Sequence, residues 1–132
     1  MAFVDTSFLY AAIDRHDGNH TATRNILQDL SGEALVTTSQ VLGEAWTLTR
    51  SRLGHRQAVG LVDGIRRGTI YEVIHIDPSI ENAAFDWLHR RDERAYSFVD
   101  ATSFQVMWDR RIDTALAFDA DFEAAGFVTL NP

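Results

Sequence analysis

The 132-residue chain has no cysteine, no lysine and no apolar run long enough to cross a membrane. Without cysteine, disulfides and thiolate metal sites are excluded. Without lysine, all twelve basic residues are arginine. Receiver domains and haloacid-dehalogenase-type phosphatases also place aspartates at strand ends, but both normally use a lysine at the site and are disfavoured. A signal peptide is not expected, because Asp5 falls where its apolar stretch would be needed. These absences point to a cytoplasmic protein without a membrane partner. Basic charge is also in deficit. The formal net charge of −7 argues against simple electrostatic capture of nucleic acid. Its distribution is uneven, however. Residues 50–67 carry Arg50, Arg52, Arg56, Arg66 and Arg67 against one acid, Asp63, and a second group, Arg90, Arg91 and Arg94, is diluted by Asp92 and Glu93.

The length suits one domain spanning 1–132, with a core large enough to fold alone. Short apolar runs at "AFV", "EALVTT", "YEVIHI", "TALAF" and "GFVTL" predict five strands. Helices are predicted from Thr6, over 19–30, 40–53 and 56–67, from Pro78 behind the cap Asp77 to about Arg91, and from Ser97 to about Arg110. Strands alternating with helices imply an α/β sandwich with a mainly parallel five-stranded sheet flanked by helices. In such sheets ligands bind beyond the carboxyl ends of the strands. Trp46, Trp87 and Trp108 fall at helical core spacing, which favours packing over base stacking.

Four acids sit in awkward places. Asp5 follows the buried "FV" of "FVDTSFL", so it caps the next helix or meets something positive. Asp100, in "YSFVDATSF", forms a capping-box pattern with Ser97. At 100° per residue it also shares a face with Phe104 and Met107, with Thr102 and Asp109 on the far side. Glu44 lies at the edge of a stripe of Val41, Leu42, Ala45, Trp46 and Leu48, where a boundary glutamate with its head in water is, taken alone, the more natural reading. In "AFDADF", Asp119 follows a strand, and Asp121 could serve the same turn. Carboxylates packed together repel and protonate unless a divalent cation compensates them. An oxygen-only ligand set suits Mg²⁺ or Mn²⁺.

"FVDTSFL", Glu44 in "TTSQVLGEAWTLTR", "YSFVDATSF" and "AFDADF" together resemble the PIN-domain ribonucleases, most of all the VapC toxins of bacterial toxin–antitoxin pairs. The resemblance spans essentially the whole chain, in order. It implies a PIN-domain sandwich and a metal-dependent endoribonuclease that cuts structured RNAs of translation, a tRNA or an rRNA loop. The catalytic acids it implies are Asp5, Glu44, Asp100 and Asp119, with Asp5, Asp100 and Asp119 as Mg²⁺ ligands and Thr6, Ser7 or Asp121 positioning a ligand or water. It also implies a homodimer and a VapB-like antitoxin. Because clustered carboxylates without a metal attract a forked guanidinium, that antitoxin is expected to insert an arginine near Asp5, Asp100 and Asp119 and to lay an apolar face near Phe8, Leu9 and Leu48. Arg50, Arg52 and Arg56 could hold RNA phosphates, or simply form a solvated helix end. The alternative is a non-catalytic PIN-like module that binds RNA or a partner.

Overall fold

Residues 1–130 are described by the structure, a computed structural model. The elements run β1 (Ala2–Val4), α1 (Thr6–Ile13), α2 (His20–Asp29), β2 (Leu35–Thr38), α3 (Ser39–Leu53), α4 (His55–Arg67), β3 (Tyr71–Ile74), α5 (Pro78–His89), α6 (Phe98–Arg110), β4 (Thr114–Leu116), α7 (Asp121–Ala124) and β5 (Val128–Thr129). The five strands form one sheet in the order β3-β2-β1-β4-β5, and every pairing is parallel. β1 and β2 are buried along their whole length, as central strands covered on both faces must be. The chain winds outward from β1 through β2 to β3, then returns to the other side of β1 with β4. This reversal creates a switch point at the carboxyl ends of β1 and β4, where open α/β sheets form their clefts.

Polar side chains end the elements. Asp77 caps α5 by accepting from the Ile80 N–H at 2.9 Å, with Pro78 at the first position, as predicted. Thr38 accepts from the Val41 N–H at 3.1 Å and starts α3 at Ser39, one residue earlier than expected. β3 stops at Ile74 rather than Ile76, and the Ile76 N–H turns to the Ser39 hydroxyl at 3.2 Å. β4 stops at Leu116, because the Phe118 N–H donates to Ser7 Oγ at 3.1 Å. The short α7 was not anticipated. A four-residue helix carries too little apolar periodicity to show in sequence.

Several burial expectations change. Of the three tryptophans, Trp87 is buried, Trp46 is half-buried and Trp108 is 41% exposed. Trp108 still packs one ring face, against Trp87 and Phe127 with centroids 5.8 and 5.4 Å away. On α3 the buried stripe is Val41, Leu42, Ala45 and Thr49, and Leu48 is only half-buried. Thr102 is fully buried rather than outward, and its hydroxyl donates to the Val99 carbonyl at 2.8 Å. α6 packs against α5 and also against α3 and α7, so more than one of its sides is covered.

Candidate active site

Asp5 sits where β1 ends, 3% exposed. Its N–H donates to the Leu116 carbonyl at 3.0 Å, tying it to β4. Its own carbonyl accepts from the Phe8 and Leu9 N–H groups at 3.2 and 3.1 Å. The backbone thus caps α1, while the side chain makes no cap bond. The carboxylate is free for other work. Ser7 holds it, donating from Oγ to Asp5 Oδ2 at 3.2 Å while accepting from Phe118, so one hydroxyl joins α1 to the end of β4. Thr6 is buried, and its hydroxyl has no partner among the described residues. Burial pushes the Asp5 carboxyl up to about 7, and the charge of Asp119 adds to this. The Thr6 N–H opposes the rise, and the charges of Asp100 and Glu44 contribute further.

Asp119 follows β4 at the open rim. Its Oδ1 accepts from the Asp121 N–H at 3.0 Å, an Asx turn that leads into α7. Burial of its carboxyl raises the pKa, against the lowering effects of the Asp121 N–H and of a hydrogen bond with the Asp5 side chain. Asp100 comes from the first turn of α6. The capping box is present: Ser97 Oγ accepts from the Asp100 N–H at 2.9 Å, and Asp100 Oδ2 accepts from the Ser97 N–H at 3.2 Å. Capping and a place beside Asp119 and Asp121 are therefore both true of this residue. Its carboxyl is pushed up to about 6, chiefly by burial; the Ser97 N–H pulls it down and Asp119 pushes it up.

Asp100, Asp119 and Asp121 each offer an oxygen within 4.8 Å of the others. Asp121 therefore joins Asp119 in the cluster rather than competing with it for one place. Asp5 adjoins the group through Asp119. All these donors are hard carboxylate oxygens, which fit Mg²⁺ or Mn²⁺, and the spacing leaves room for retained waters. Glu44 is exposed on α3 rather than lying at the edge of the buried stripe, yet its charge reaches Asp5.

Arg94, absent from the expected residues, reaches the acidic cluster. It donates from Nε and Nη2 to Asp121 Oδ1 at 3.0 and 2.8 Å. In sequence it looked like one of a diluted basic group; only the turn into α6 brings it to the acids. Arg50 and Arg56 are exposed, with no ion pair among the described residues. Arg52 differs: its guanidinium lies 5.2 Å from the Tyr10 ring centre, and Tyr10 itself donates to Asp14. Arg52 thus helps join α3 to α1. Phe8 and Leu9 are buried and cannot form a surface patch. Leu9 instead lines the floor of an apolar groove of about 590 Å³, beside Ile13, Leu27, Leu61 and Ile65.

Residues 2–128 match the PIN domain family. The chain is 46% identical over 132 residues to the 23S rRNA-specific endonuclease VapC20 of Mycobacterium tuberculosis, in strains CDC 1551 and H37Rv, covering 100% of this chain and 99% of the relative. The crystal structure of M. tuberculosis VapC20, described as a Sarcin-Ricin loop cleaving toxin, superposes over 100% of both chains with a TM-score of 0.92 and 44% identity. VapBC2 from Rickettsia felis, bound to a DNA fragment from its promoter, shares the fold alone at 14% identity, with a TM-score of 0.73 over 98% of this chain and 97% of its own.

Proposed function

Because the chain belongs to the PIN domain family, we propose that it is a Mg²⁺-dependent endoribonuclease toxin, a single PIN domain over residues 1–132 that cuts a structured loop of 23S rRNA in the bacterial cytoplasm until an antitoxin neutralises it. The observation that carries this reading is the convergence of Asp5, Asp100, Asp119 and Asp121 at the carboxyl ends of β1 and β4, in a chain that matches a 23S rRNA-specific endonuclease along its full length. That relative also favours rRNA over tRNA as the substrate.

Mg²⁺, or Mn²⁺ in its place, would when bound supply an activated water and offset charge on the leaving oxygen. Asp100, Asp119 and Asp121, with the adjoining Asp5, would hold the ion, and the capping box and the Ser7 bridge fix the aim of Asp100 and Asp5. Glu44, exposed on α3 with its charge reaching Asp5, would face an entering phosphodiester. Arg50 and Arg56 are free to meet RNA phosphates, whereas Arg52 must leave Tyr10 to do so.

The inhibitory partner is a VapB-like antitoxin. An inserted arginine would fork onto the carboxylates and displace the ion. The groove over Leu9, Ile13 and Leu61 suits the apolar face of an antitoxin helix. A homodimer is carried over from the family.

The test is to incubate the purified chain with ribosomes and with total tRNA in Mg²⁺ and map new RNA 5′ ends. One new end within a 23S rRNA loop is expected, and it should be absent with Asp100→Asn. Cleaved tRNA beside intact 23S rRNA would overturn the substrate assignment.

A further inference from the structure

Five acids, Asp5, Glu44, Asp100, Asp119 and Asp121, gather at one end of the sheet, and among the described residues Arg94 is the cation that pairs with any of them. Its placement is built in. Its Nε and Nη2 both donate to Asp121 Oδ1, and Oδ2 has no hydrogen bond among the described residues. The guanidinium lies 5.9 Å from the centre of the Tyr96 ring. Tyr96 is in turn wedged against Trp87 and Phe104, with centroids 4.8 and 5.8 Å away. The segment from Arg90 to Ser97 is therefore anchored in the aromatic core on one side and presents a fixed positive charge to the acids on the other. Its charge also acts on Asp119.

Sites with this many carboxylates commonly hold two divalent ions about 4 Å apart. Here a guanidinium already occupies one flank. We propose that Arg94 is a positioning residue that stands in for a second cation, so the cluster takes up one divalent ion and refuses another. This rests on the metal-binding reading above and deepens it. It assigns Asp121 a split task, Oδ1 to the guanidinium and Oδ2 facing the ion. It also makes the charge of Arg94, rather than its fork, the decisive property.

Titration of Mn²⁺ into metal-free protein by calorimetry tests this, using wild type, Arg94→Gln and Arg94→Lys. Thermal melting in chelator checks that each variant folds. Wild type should bind one Mn²⁺ per chain. Arg94→Gln should bind two, and the first should bind about tenfold tighter, because a unit charge beside a divalent ion costs it about that factor in a water-like dielectric. Arg94→Lys should stay at one. One ion in wild type with an unchanged Arg94→Gln would overturn this inference alone. Two ions in wild type, or an Arg94→Lys that behaves like Arg94→Gln, would also overturn it. No binding by wild type would overturn the metal reading, and this inference with it.

Discussion

Asp5→Asn should stabilise the metal-free protein at neutral and alkaline pH while removing its function. Asp5 is 3% exposed, and burial, with the charge of Asp119 behind it, pushes its carboxyl up to about 7 from 3.8. A carboxyl raised on folding means that the folded state holds its proton more tightly than the unfolded chain. Folding then loses stability as pH rises from about 4 to about 7, and the full cost is present above 7. At 1.36 kcal/mol per pH unit that cost is about 4 kcal/mol. The asparagine amide keeps the shape, can accept from Ser7, and has no charge to desolvate. In chelator at pH 8 the variant should melt roughly 10 °C above wild type, taking about 3 °C per kcal/mol for a chain of this size. The gap should close below pH 4. Added Mg²⁺ should then raise the melting temperature of wild type more than that of the variant, since a ligand that binds only the folded state stabilises it. Matching pH profiles for the two proteins in chelator would refute the claim that Asp5 is a buried carboxylate under electrostatic strain.

Ser7→Ala removes the bridge between Asp5 and Phe118 and leaves the Phe118 N–H without its acceptor. It should cost about 1–3 kcal/mol in urea unfolding and reduce cleavage without abolishing it. Glu44→Gln should slow cleavage strongly with little change in stability, because the residue is exposed; a wild-type rate and Mg²⁺ dependence would leave Glu44 a surface residue. Arg50→Ala with Arg56→Ala should weaken RNA binding and reduce its salt slope by about two, whereas Arg52→Ala should also lower the melting temperature through the lost Tyr10 contact. The chain co-purified with the product of a neighbouring reading frame should bind Mg²⁺ more weakly than the free chain, and equal affinity would rule out arginine insertion by the antitoxin.

The fold was legible because β1, β2 and β4 are short apolar runs separated by helical periods, and burial on both faces leaves such strands almost no other way to read. Asp5 and Asp119 stood out because a charge directly after a buried strand is expensive. Asp100 was visible twice, as the third residue of a capping box and as an acid turned toward an apolar face. Arg94 was hidden. Its neighbours Glu93 and Asp92 suggested a solvated mixture, and its partner lies twenty-seven residues away. The amphipathic pattern of α3 placed Leu48 inward and Glu44 at the boundary. Packing of α4 along α3 shifted the buried stripe to Thr49, so a polar residue took the core position that sequence gave to leucine. Likewise α6 is covered on two sides, which periodicity from a single face cannot show, and Thr102 is buried as a result.

The central claim is that these carboxylates hold a divalent ion that cleaves RNA. The most direct measurement is the cleavage rate of a 23S rRNA loop fragment by purified wild type and Asp100→Asn, in Mg²⁺ and in chelator. Wild type should cut only with Mg²⁺ and leave a 5′-phosphate, and Asp100→Asn, folded as judged by melting, should not cut in either. Cleavage by wild type in chelator, or by Asp100→Asn at the wild-type rate, would contradict the account.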